Sequence, residues 1–142
     1  VDDPNVDRTE TTIFTTDLTE VREVPPVLLS ARDQAAVDAL PRGTALLIVQ
    51  RGPNTGARFL LDADVTFAGR SPRSDIFLDD VTVSRKHCQF IAHGNGHIVR
   101  DSGALNGTYV NRERVDQAVL RKGDEVQIGK YRLTYQPSEQ AE

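Results

Sequence analysis

From Ala45 onward the chain is a succession of short strand-like runs, each closed by turn chemistry. Ala45–Gln50, Arg58–Leu61, Val65–Ala68, Ile76–Leu78, Cys88–Ala92, Ile98–Asp101, Thr108–Val110, Val119-Leu120, Glu125–Ile128 and Tyr131–Thr134 have the β-branched and aromatic content of strands. Gly52-Pro53-Asn54-Thr55-Gly56, His93-Gly94-Asn95-Gly96-His97 and Gly129-Lys130 supply turns between them. No strand–helix–strand alternation interrupts the series, which argues against a parallel α/β sheet. Many short strands joined by tight turns predict an all-β sandwich or barrel.

The N-terminal part obeys different rules. Residues 1–29 show neither helical nor alternating periodicity and carry threonines at 9, 11, 12, 15, 16 and 19. Such a segment buries too little apolar surface to offset its ordering entropy and is expected to be disordered. Ser30 can cap a short helix over 31–40, with Asp33 in its first turn and Pro41 as its stop; this helix is expected to be marginal alone. The division expected is an acidic regulatory tail over 1–44, a folded domain over 45–136 and a short C-terminal tail over 137–142. A length of 142 residues suits one ordinary domain plus a tail.

Charge and cysteine content narrow the function. Residues 1–44 carry nine acids against four arginines, and the remainder twelve acids against thirteen bases. Nucleic-acid binding needs a cationic stripe that this distribution lacks. A single cysteine, Cys88, excludes an internal disulfide. No apolar stretch approaches the roughly 20 residues of a membrane span, and no signal segment opens the chain. A cytoplasmic protein without membrane contact is expected. The chain opens on Val1 and contains no methionine, so its initiator residue is trimmed, lost or misread.

Three polar clusters interrupt the strands. Gly69-Arg70 ends one: the glycine permits close backbone approach, and the guanidinium fork suits phosphate. A lone Gly-Arg is most often only a surface loop. Ser84-Arg85-Lys86-His87 offers a hydroxyl donor beside two cations. Arg85 and Lys86 are neighbours and should diverge, which favours Arg85 at a ligand. A Ser84/His87 nucleophile and base would need mutual aim and an orienting third group, which this spacing does not provide. His87 is better read as a shaper of its loop. Asn106-Gly107-Thr108 is a turn whose carboxamide can grip the main chain of an extended peptide. Guanidinium, hydroxyl and carboxamide together suit a phosphate carried on a peptide. Arg112, Arg114, Arg121 and Lys122 are expected on other loops.

Taken in this order and spacing, the clusters resemble the forkhead-associated (FHA) domain over about residues 45–136. The resemblance implies an eleven-stranded β-sandwich that binds phosphothreonine peptides through loops at one end. It implies that Arg70, Ser84, Arg85 and Asn106 contact the phosphopeptide while Gly69, His87 and Gly107 shape the loops, with no catalytic residue, cofactor or metal. The family often has a hydroxyl shortly before its Asn-Gly. Here the stretch reads Ser102-Gly103-Ala104-Leu105, so affinity is expected to fall unless Ser102 substitutes.

Glu10-Thr11-Thr12, Leu40-Pro41, Arg51-Gly52-Pro53-Asn54 and Ser74-Asp75-Ile76-Phe77-Leu78-Asp79-Asp80 sharpen the likeness. They are similar to actinobacterial regulators of the glycogen accumulation regulator and oxoglutarate dehydrogenase inhibitor family. That likeness implies a regulator that, unphosphorylated, binds and inhibits 2-oxoglutarate dehydrogenase or decarboxylase. It also implies modulation of glutamate dehydrogenase or glutamate synthase. The likeness further implies that a Ser/Thr protein kinase modifies Thr11 or Thr12 and that the phosphorylated tail then occupies its own FHA site. Phe14 follows Thr12 one residue earlier than the family pattern, which leaves both threonines as candidates. A linker of 33 residues from Thr12 to Ala45 spans roughly 30 Å r.m.s., enough to reach either end of the domain. The alternative function is an adaptor recruiting a separate phosphothreonine partner. A calcium sandwich on Asp62, Asp64, Asp79 and Asp80 lacks the alternating ligand spacing of known loops.

Overall fold

The computed structural model describes residues 28–140. The tail threonines Thr11 and Thr12 lie outside the described residues. One helix precedes eleven strands: α1 Ala31–Asp38, β1 Ala45–Arg51, β2 Arg58–Leu61, β3 Val65–Gly69, β4 Ile76–Phe77, β5 Cys88–His93, β6 Gly96–Asp101, β7 Thr108–Val110, β8 Glu113–Val115, β9 Gln117–Val119, β10 Glu125–Ile128 and β11 Tyr131–Pro137. One sheet has the order β2-β1-β11-β10-β7-β8 and the other β9-β6-β5-β3-β4. All pairs are antiparallel except β3 with β4. Of the two all-β forms that the run of short strands predicts, sandwich or barrel, this is the sandwich.

The inner faces of the two sheets supply the core. Leu47, Val49, Val126, Ile128, Leu133 and Tyr135 meet Ala68, Cys88, Phe90 and Val99 across it. Strand alternation explains the choice: successive side chains on β5 and β10 switch between buried and partly exposed.

β1 breaks that alternation, with Ala45 through Val49 all buried. The reason is α1. Ser30 accepts from Asp33 N at 3.1 Å as the N-cap. Val37 and Leu40 then pack on the outward-facing Leu46 and Ile48. Each such side chain contributes about 1.5–3 kcal/mol when fully buried. A helix expected to be marginal alone is therefore held by the sheet. Ser138 Oγ donates to Leu40 O at 2.9 Å, and Ser138 N to Thr44 O at 2.8 Å, which ties the end of β11 to the helix exit.

Two local expectations need correction. The strand expected over Ile76–Leu78 ends at Phe77 as β4, and residues 78–87 form a loop. That loop is held by backbone turns such as Val83 N to Asp80 O at 3.0 Å. Between Val110 and Leu120 the chain carries two strands, β8 and β9, where only Val119-Leu120 was expected. Asn111 and Arg112, at φ 50° and 69°, turn β7 into β8, and β9 begins at Gln117. No helix among the described residues is long and apolar enough to cross a membrane.

Candidate functional site

The antiparallel pairing of Cys88 with Asp101 places the start of β5 and the end of β6 at one edge of the sandwich. The loops leaving β3, entering β5 and leaving β6 gather there, and they carry the three polar clusters. Gly69 fits because nothing larger can: a Cβ there would lie 2.1 Å from Arg85 O. Across that contact Arg70 N donates to Ser84 O at 2.9 Å, and Ser71 N to Arg85 O at 3.2 Å.

The side chains of the clusters are held in defined roles. Arg70 is half-buried and its Nε donates to Val83 O at 3.0 Å, leaving the Nη groups as donors for a ligand. Ser84 Oγ accepts from Leu105 N at 3.0 Å, so its own proton is available to an incoming oxygen. Asn106 is exposed, and its Nδ2 donates to Thr82 O at 3.0 Å, which leaves the carboxamide oxygen to accept from a peptide N–H. The structure thus brings Arg70, Ser84 and Asn106 to one face.

His87 is fully buried and does shape the loops. Its Nδ1 accepts from Ser84 N at 3.1 Å, which makes Nε2 the protonated nitrogen, donating to Gly107 O at 2.9 Å. Burial lowers its pKa from 6.5, opposed by the Gly107 carbonyl and by Asp101. Both ring nitrogens are spent on backbone, and neither meets Ser84 Oγ. This pair is not a nucleophile and its base. Gly107 adopts φ +79°, and its side is closed by Arg114, whose Nε would lie 2.6 Å from a Cβ there.

Four features were not foreseen. Arg114 was expected on another loop, but it lies on β8 with its guanidinium against Gly107. Strand geometry, not sequence distance, puts it there: Tyr109 pairs with Arg114 across the β7–β8 hairpin. Asp101 is the second. Its Oδ2 accepts from Gly103 N at 2.9 Å and Ala104 N at 3.2 Å, and its Oδ1 from Thr108 Oγ1 at 2.7 Å. Asp-Ser-Gly is a recognisable side-chain turn signal that could have revealed it. Third, Thr82 supports Asn106 from below. Its hydroxyl donates to Asp80 and accepts from Lys130 N; the hydroxyl and backbone N–H of Thr82, helped by the Lys130 ammonium, hold Asp80 below the usual carboxylate pKa. A depression of about 390 Å³ opens among Thr82, Asn106, Tyr109, Gln127 and Lys130.

Fourth, Arg85 and Lys86 both line one groove of about 430 Å³, together with Arg73 and Ser102. Ser102 is therefore on the groove side of the loop, whereas Ala104 is buried. No group of three or more His, Cys, Asp or Glu among the described residues is placed to hold a metal.

Comparison with known proteins agrees with this geometry. Residues 66–129 match the family model of the FHA domain. The glycogen accumulation regulator GarA of Mycolicibacterium smegmatis is 55% identical over 125 residues, covering 88% of this chain and 79% of that protein. The oxoglutarate dehydrogenase inhibitor of Corynebacterium glutamicum is 52% identical over 125 residues, covering 88% and 86%. The chain belongs to their family of FHA-domain regulators. Its FHA sandwich also superposes on EmbR of Mycobacterium tuberculosis, solved with a low-affinity phosphopeptide. There the TM-score is 0.63 and the identity 26%, over 90% of this chain and 30% of that one. An FHA domain solved for its phosphothreonine-dependent interactions gives a TM-score of 0.61 at 25% identity, over 66% and 95%.

Proposed function

We propose that this FHA protein is a phosphothreonine-binding regulator switched by its own N-terminal segment. Unphosphorylated, it binds and inhibits 2-oxoglutarate dehydrogenase or decarboxylase and modulates glutamate dehydrogenase or glutamate synthase. A Ser/Thr kinase then phosphorylates Thr11 or Thr12, and the modified segment occupies the site and displaces the target. Arg70, Ser84, Arg85 and Asn106 bind the phosphopeptide, while Gly69, His87 and Gly107 set the loops. The names of the relatives support the metabolic target.

The observation that carries the reading is the convergence of three differently bonded groups on one face. Arg70 presents Nη donors, Ser84 a hydroxyl proton and Asn106 a carboxamide oxygen, each fixed through its other atoms. A dianionic phosphate needs the first two, and an extended peptide backbone needs the third.

Docking of α1 moves the anchor of the tether from Ala45 to Leu29, which packs with Val37 and Leu40. Thr12 to Leu29 is 17 residues, which reach at most about 60 Å when extended. A domain of this size has a radius of gyration near 13 Å, so the site remains within reach.

The test replaces Thr11 and Thr12 by alanine and measures inhibition of 2-oxoglutarate dehydrogenase before and after kinase treatment. The double variant should inhibit in both conditions, while the parent loses inhibition. A double variant that the kinase still switches off would overturn self-occlusion.

A further inference from the structure

A cationic groove lies beside the loops of the candidate site. Its floor is Phe67, Ala68, Cys88 and Gln89, and three cations, Arg73, Arg85 and Lys86, stand around it. Asp75 is the one carboxylate in its lining, and its Oδ2 already accepts from Phe67 N at 2.9 Å. The excess is two positive charges in about 430 Å³ of space.

The groove is continuous with the face described above. Ser71 N donates to Arg85 O one residue beyond the Arg70 N to Ser84 O bond, so its wall grows out of the same backbone pair. Asn106 stands on the other side, bonded to Thr82, two residues before Ser84, whereas the groove begins at Arg85, one residue after it. A peptide strand crossing Ser84 therefore has a carboxamide on one flank and a cationic groove on the other.

The chain's own segment is asymmetric in the matching sense. Glu10 lies two residues before Thr12 and Phe14 two residues after it, while the next acid on that side, Asp17, is five residues away. One orientation alone brings an acid to the cations next to the phosphate site. In an extended strand a residue two positions from the phosphothreonine lies about 7 Å along, next to the phosphate site.

We infer that the Arg73–Arg85–Lys86 groove is a carboxylate subsite for the acidic residue N-terminal to the phosphothreonine, filled by Glu10 of this chain. The inference rests on the phosphothreonine reading of Arg70, Ser84 and Asn106 and adds a second determinant to it. It also sets the direction of the bound segment: residues before the phosphothreonine run over Arg85 and Lys86, and residues after it run past Asn106.

The experiment is a calorimetric titration of the full chain carrying Thr11→Ala and Thr12→Ala, so that its own segment cannot compete. The ligands are peptides of residues 4–18 phosphorylated at Thr12, with and without Glu10→Gln. The receiving protein is used as such and with Arg73→Ala plus Lys86→Ala; an Arg70→Ala version tests the phosphate site separately. Glu10→Gln should weaken binding about threefold to fivefold on the parent, the scale of partly solvated ion pairs. That difference should vanish on the Arg73→Ala/Lys86→Ala protein. Arg70-dependent binding in which Glu10→Gln changes nothing, or changes both proteins equally, overturns the subsite and leaves the phosphothreonine reading standing. Absence of binding by every phosphopeptide, or binding indifferent to Arg70→Ala, overturns both.

Discussion

Two histidines are buried in this sandwich, one toward each end, and they are used differently. His87, at the loop end, spends both ring nitrogens on backbone and joins the loops of Ser84 and Gly107. His97, near the β5–β6 hairpin, pairs Nδ1 with Tyr135 OH at 2.7 Å and stacks edge-on to that ring. Its Nε2 is the one buried side-chain nitrogen or oxygen among the described residues without a partner. Burial lowers the pKa of His97 and, with Asp124 assisting, pushes Tyr135 up to about 12. The far end joins its turns through Asn111, which bonds Asp124 and Glu125 N, whereas the loop end joins the segments that carry Ser84 and Gly107 through a buried imidazole.

The largest effect that would break this contrast comes from Gly69→Ala. Its Cβ would meet Arg85 O at 2.1 Å, a backbone atom that cannot yield without parting the loops. A loss of about 3 kcal/mol or more is expected in urea unfolding. A loss under about 1 kcal/mol would show that the loop end is not crowded.

His87→Ala comes next. It leaves Ser84 N and Gly107 O without their partner, at a cost of about 2–3 kcal/mol. It should also weaken phosphopeptide binding, although His87 is buried away from the ligand. Unchanged affinity in a folded His87→Ala protein would mean that the loops hold without it.

Arg70→Ala separates binding from folding. One charge-assisted contact of about 1.5–3 kcal/mol is lost, or roughly 10- to 150-fold in phosphopeptide affinity. Stability should fall by only about 1 kcal/mol, for the bond to Val83 O. Normal affinity by fluorescence titration would remove Arg70 from the site.

Acid sharpens the comparison further. Both imidazoles titrate below 6.5 in the folded chain, so the unfolded chain binds more protons in the window beneath 6.5. The stability they contribute is complete above pH 6.5 and is lost as pH falls through their folded values. Urea midpoints measured from pH 7.5 to 5 should decline below about 6.5. A flat profile would contradict the burial of both rings.

The smallest effect is expected from replacing His97 by leucine together with Tyr135 by phenylalanine. Removing both partners of a buried pair strands nothing, and a change within about 1 kcal/mol is expected. The acid slope should become shallower and phosphopeptide affinity should not move. A large loss of affinity would mean that the far end also supports the site.

The sequence was informative wherever the signal is local. Ser30 and Asp33 marked the helix start, since a cap needs only residues three apart. Turn residues bounded nearly every strand, and the polar clusters marked three loops of the candidate site. It was weaker where a contact spans many residues. The docking of α1 went unread, although the unbroken burial from Ala45 to Val49 is the mark of a strand covered on both faces. Arg114 went unread because its place depends on the β7–β8 register, and a slip of one residue would turn it to the opposite face.

By itself the sequence determined that this chain makes an all-β fold of short strands and that guanidinium, hydroxyl and carboxamide stand in three of its loops. Backbone propensity and turn chemistry act between neighbours, so such features can be read along the chain. Only the tertiary structure decided how those groups are used. It fixed the His87 tautomer, turned the Ser84 hydroxyl into a donor, set Arg114 against Gly107 and placed Lys86 beside Arg85 in one groove. Each of these depends on strand register and loop packing between residues far apart in the chain, and a one-residue change of register would undo them.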